Sequence, residues 1–208
     1  VRTPRRMEEE YGGRWNWFHT VCERTSSRFH LHLGWDNKIA RPVIVKTVQY
    51  RPEDLISEET IQARRRILEM QITLLNNISS PLLPEPLDWF EVKNKIDHPF
   101  PGSLRNSEPI LILDYQPGLS LGHHLKNEGL KDRFYIERVA RIGRRILSFL
   151  SILADKHYAY LDMNPEHILL LDDDVPRFVG LGRICKASSA GLDPDDINFG
   201  QTSKGYAA

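Results

Sequence analysis

Hydrophobic and polar positions follow a strand-like pattern in the first half of the chain and a helical one in the second. Residues 29–33 alternate apolar with polar side chains, the pattern of a strand with one buried face. Val43-Ile44-Val45-Lys46-Thr47-Val48 is β-branched and follows Pro42, which suits a strand start. Ser57 then offers an N-cap, with Glu58 and Glu59 in the first turn. Ile61, Leu68, Ile72 and Leu75 mark one face of the helix that follows, and Pro81, Pro84 and Pro86 end it. Residues 87–92 and 109–113 read as two more strands, with a long polar loop over 93–108 between them.

From Leu121 onward the period becomes helical. Ile136, Val139, Ala140, Gly143, Leu147, Leu150 and Ala154 follow the i, i+3, i+4, i+7 rule, so this stripe is expected to face a core. Apolar residues 168–171 and 178–179 flank Asp172-Asp173-Asp174 and predict a tight two-stranded hairpin. The aspartates read as its solvated turn. Residues 1–15 are polar and are expected to form an N-terminal extension.

Composition narrows the function classes. Lys+Arg and Asp+Glu are both 28, so the formal net charge is zero and nothing points to nucleic acid. Arg64-Arg65-Arg66 and Arg141, Arg144 and Arg145 therefore read as solvated helix faces, and His123-His124 as surface helix. Cys22 and Cys185 have no metal-ligand spacing and read as reduced thiols, which suits the cytoplasm. No stretch is apolar for long enough to span a bilayer, and no signal peptide opens the chain. The start at Val1 and the stop at Ala208 read as cut ends of a longer polypeptide.

Two linked stretches carry a resemblance. Tyr160-Leu161-Asp162-Met163-Asn164-Pro165-Glu166-His167-Ile168-Leu169-Leu170 resembles the protein-kinase catalytic loop, H-R-D-x-x-x-x-N followed by apolar residues. Asp162 falls on the catalytic Asp and His167 on the metal-binding Asn. Gly180-Leu181-Gly182 sits where the family places D-F-G. Other landmarks follow in order: Val43-Ile44-Val45-Lys46 looks like V-A-I-K, and Glu69 is similar to the αC glutamate. Residues 111–118 look like the last sheet strand and the hinge, and residues 200–208 like the end of an activation segment. The resemblance implies an α+β, two-lobed, protein-kinase-like fold. A mostly antiparallel sheet with one helix (16–114) would be joined to an incomplete helical lobe (115–208).

The resemblance also assigns roles. Lys46 and Glu69 would form the ion pair that anchors a nucleotide's phosphates. Asp162 would be the base that accepts a substrate hydroxyl proton, or a loop aspartate bonding nearby amides. Leu31, Ile44, Leu113 and Leu169 would line the adenine slot, or close it as plain core, and Asp114 and Gln116 would form the hinge beside it. The metal positions are degenerate. Gly180 supplies no ligand, and His167 offers imidazole, which suits zinc or copper better than magnesium. At the places of the phosphate-covering glycines stand Arg24, Ser26 and Phe29. Leu161 replaces the arginine that would order a phosphate on Thr202 or Ser203.

These departures imply a pseudokinase: a signalling or scaffold module for protein partners or fused domains. ATP binding would be weak or absent, and Mg²⁺ weak or absent. The alternatives are an active Ser/Thr kinase with an atypical metal site and a nucleotide-independent interaction domain.

Overall fold

The computed structural model describes residues 5–6, 13–22, 29–48, 57–93, 107–127, 135–161, 163–188 and 191–192. It is a mixed α+β structure whose chain divides into two compact units. The first comprises Val1–Asn77 with Glu85–Tyr115, and the second Ile78–Pro84 with Gln116–Ala208.

Six strands of the first unit form one antiparallel sheet: β1 (Arg5–Arg6), β2 (Trp15–Cys22), β3 (Phe29–Asp36), β4 (Arg41–Val48), β5 (Pro86–Lys93) and β6 (Ser107–Asp114). Their spatial order is β1-β2-β3-β4-β6-β5. The expected opening extension is therefore partly sheet, because Arg5 and Arg6 pair with Trp17 and Asn16. Trp15 is core, and its Nε1 donates to Asp88 Oδ2 at 3.0 Å.

Alternation along β4 sorts the core. Val43 and Val45 pack with Trp15, Ile110 and Ile112 on one face, where Leu87, Phe90 and Val92 close over them. Ile44 and Lys46 take the other face, with α1 (Glu58–Asn77) beyond. Ser57 caps α1 as its position suggests, since its Oγ accepts from the Thr60 amide at 3.3 Å. Ile61, Leu68 and Leu75 are buried on this helix. Arg65 is buried too, which corrects the reading of residues 64–66 as a solvated basic face. Its guanidinium donates to the Ser107 carbonyl at 3.0 Å and pairs with Glu91.

The second unit holds α2 (Leu121–Asn127), α3 (Tyr135–Asp155) and two three-stranded sheets. One contains β7 (Leu119–Ser120), β9 (Ile168–Leu170) and β10 (Pro176–Phe178), in the order β10-β9-β7. The other contains β8 (Tyr158–Tyr160), β11 (Ile184–Ser188) and β12 (Gly191–Leu192), in the order β12-β11-β8. Phe149 of α3 stacks on Phe178 of β10, with ring centroids 4.1 Å apart. The β9–β10 hairpin is the one expected from the sequence.

Two expectations for this unit fail. The stripe on α3 does not face a core among the described residues: Ile136 is 80% exposed and Leu147 66%. The buried residues are instead Ile142, Phe149 and Leu153, spaced i, i+7 and i+11. The apolar arc of α3 is wider than what covers it, so periodicity alone marked the wrong part of it. The hairpin turn, in turn, is not fully solvated. Asp174 receives Arg138 Nε at 2.7 Å and Arg141 at 2.6 Å, and Arg145 donates to the Asp173 carbonyl at 2.7 Å. Arg141 and Arg145 are thus turn clamps rather than a free basic face.

Candidate functional site

In the first unit the expected nucleotide-binding residues Leu31, Ile44, Lys46 and Leu113 share one sheet face. Leu31 lies opposite Lys46, and Ile44 opposite Leu113. Leu31 and Ile44 are half-buried, and Leu113 is buried. Asp114, at the end of β6, is occupied by backbone. Its Oδ1 accepts from the Glu85 amide at 2.5 Å, and its own amide donates to the Glu85 carbonyl at 3.0 Å.

Lys46 is buried, and its partner is not the one expected. Its Nζ donates to Gln71 Oε1 at 2.6 Å and lies 4.7 Å from the centroid of the Phe29 ring. Glu69 is exposed, so the anticipated Lys46–Glu69 ion pair is replaced by a bond to a neutral amide. The physical reason is helix geometry. Successive helical residues turn by about 100°, which puts Gln71 on the buried face with Leu68 and Leu75 and swings Glu69 off it. Burial pulls the Lys46 ammonium down from 10.5 to about 8, because no carboxylate among the described residues offsets its desolvation. Gln71 is 2% exposed, and its Nε2 has no acceptor among the described residues.

In the second unit Gln116 is buried and Leu169 is half-buried on β9. Asn164 caps the turn that presents His167: its Oδ1 accepts from the Glu166 amide at 2.9 Å. The Glu166 carboxylate accepts from Ser120 Oγ and from Lys126 Nζ, each at 2.7 Å. It also lies against Gly122, where a Cβ would sit 2.4 Å from Glu166 Oε1. Residue 166, which carried no assigned role, thereby ties the loop before β9 to α2.

His167 and Gly180, the two positions that the resemblance sets at metal ligands, meet. A Cβ built on Gly180 would lie 2.2 Å from His167 Cγ and 2.4 Å from His167 Cβ. The Val179 amide donates to the His167 carbonyl at 2.9 Å, and Tyr160 Oη donates to the Gly180 carbonyl at 3.0 Å. Magnesium requires oxygen ligands. Position 180 supplies no side-chain donor, and the histidine fills the space a carboxylate would need. These residues do not fit a magnesium site. Among the described residues no group of three or more His, Cys, Asp or Glu is arranged to hold a metal.

Several candidates lie outside the described residues: Asp162, Arg24, Ser26 and Arg28, and the 200–208 segment with Thr202 and Ser203. Gln71 is the residue sequence reasoning missed around Lys46, and Phe29, named there only for a glycine's place, turns out to lie against the ammonium. The spacing Leu68, Gln71, Leu75 was the available signal for the first, because it places a polar side chain on a buried stripe. Among the described residues no helix is long and apolar enough to cross a membrane. No protein-family model matches the chain, and no curated protein matches it.

Proposed function

We infer that this chain is a protein-kinase-like domain that has lost phosphoryl transfer and serves in the cytoplasm as a signalling or scaffold module for protein partners. The order of elements supports this reading: an antiparallel sheet interrupted by one helix, then helices, then a loop and hairpin bearing the degenerate motifs. One observation carries it. The His167 ring lies where a side chain at position 180 would have to stand. Phosphoryl transfer depends on positioned positive charge around the phosphates, and a metal without carboxylate ligands leaves that charge unplaced.

Lys46 supports the same reading. In a transferring site its ammonium is held by a carboxylate and kept for phosphate. Here it is buried beneath Phe29 and bonded to an amide. The test is transfer of radiolabel from ATP to a generic protein substrate and to the chain itself, in Mg²⁺ and in Mn²⁺. No incorporation above background is the expected result. Incorporation that both Lys46→Met and Asp162→Asn abolish would identify a working kinase and overturn the reading.

A further inference from the structure

The uncovered apolar stripe of α3 is regular. Ile136, Ala140, Gly143, Leu147, Leu150 and Ala154 follow one another at alternating steps of four and three residues, the heptad spacing by which one helix packs along another. Ile136, Ala140, Leu147 and Ala154 are exposed, and a Cβ on Gly143 would meet nothing within 4 Å. The buried residues Ile142, Phe149 and Leu153 lie to one side of the stripe and hold α3 on the second unit. The opposite rim carries charge. Glu137 and Arg144 are exposed there, seven residues apart and therefore in line along the helix. The Arg144 guanidinium donates to the Ala140 carbonyl of its own helix at 3.4 Å, a long bond that supplies no counter-charge.

We propose that α3 is a self-association surface that takes the α3 of a second copy of this chain, antiparallel, with Glu137 of each copy against Arg144 of the other. A two-fold relation between identical helices brings the same rim of both together and reverses the order along it. An acidic and a basic residue on one rim are then complementary to their own copy, and two ion pairs form. The same register sets Ile136 beside Leu147 of the second copy. It brings Ala140 and Gly143 to the closest approach, where small residues let the helices draw together. A parallel arrangement would face the charged rim with Val139 and Ile146 of the other rim and leave both charges unpaired. A uniformly acidic or uniformly basic partner would meet one like charge, so the alternation of sign favours the same helix as occupant.

This surface involves none of positions 46, 167 and 180, so the radiolabel assay bears on the proposed function only. The test is sedimentation velocity of the full chain from low to high micromolar concentration. Concentration-dependent dimerisation is expected. Glu137→Arg and Arg144→Glu each place like charges at both contacts, and each should weaken dimerisation at least about tenfold. Mixing the two variants should restore it, because every contact is then arginine against glutamate; the double variant should associate for the same reason. Leu147→Asp, which removes the apolar contact, should leave a monomer. A natural chain that stays monomeric overturns the proposal and leaves the face to a different partner. Dimerisation that both single reversals leave unchanged overturns it equally, as does recovery in neither the mixture nor the double variant.

Discussion

His167 is packed so closely against Gly180 that position 180 does not accept the carboxylate side chain a magnesium site would require there. A Cβ on Gly180 would sit 2.2 Å from His167 Cγ, 2.4 Å from its Cβ and 2.5 Å from its Nδ1. Each of these is well inside van der Waals contact, where only displacement of the backbone or the ring relieves the clash. Because His167 Cβ is one of the obstructing atoms, shortening the histidine to asparagine leaves the obstruction in place.

Gly180→Ala should therefore cost about 1–3 kcal/mol, the usual penalty of overpacking. For a chain of this size that is a fall of several degrees in melting temperature. The double variant Gly180→Asp with His167→Asn should remain destabilised and should gain no stabilisation from millimolar Mg²⁺. A Mg²⁺-dependent rise in its melting temperature would show that side-chain replacement alone makes a metal site here.

Lys46 makes stability depend on pH at the alkaline end. Its folded value is near 8 and its ordinary value 10.5, so the unfolded chain binds more protons between them. Stability must then rise with pH across that window, by up to about 3 kcal/mol if the whole shift is expressed. Below about pH 8 both states hold the proton and the penalty is fully present. Above about pH 10.5 neither does and it is gone. Urea denaturation at several pH values should show this rise in the natural chain and lose it in Lys46→Met. An identical pH profile for the two would remove the burial argument.

The Asp174 clamp is a second electrostatic feature. Burial pushes its carboxyl up, but the hydrogen bonds from Arg141 and Arg138 reverse this and hold it below its usual value. The bonus is present above the ordinary carboxylate range and is lost as pH falls through the lower folded value. Asp174→Asn keeps a residue tolerant of the left-handed backbone found there, with φ 56°, and removes only the charge. The arginines are partly exposed, so a loss of about 1–2 kcal/mol is expected in chemical denaturation. Exposed Asp172→Asn, made as the control, should change stability by less than about 0.5 kcal/mol.

Neighbouring arginines on α1 should differ sharply. Arg65 holds the Ser107 carbonyl and Glu91 from a buried position, while Arg66 is exposed. Arg65→Ala should cost about 2 kcal/mol, reduced from the fully buried case because Glu91 is half-exposed. Arg66→Ala should be near zero. Similar small losses for both would restore the picture of an undifferentiated basic face.

Side-chain periodicity alone determined where several of the elements lie. The β-branched run over 43–48, the capped helix after Ser57 and the aspartate-turn hairpin after Ile168 all follow from local preference and spacing. The chemical identity of positions 46, 167 and 180 was equally plain from the residues themselves. Tertiary structure decided which of these groups meet. It gave Lys46 the amide of Gln71 instead of Glu69, set His167 against Gly180, clamped Asp174 with arginines from α3 and left Ile136 and Leu147 uncovered. Periodicity fixes the face of an element on which a side chain sits, but the partner covering that face comes from residues distant in sequence. The choice between them is made by packing, desolvation and the space available, which no local window contains.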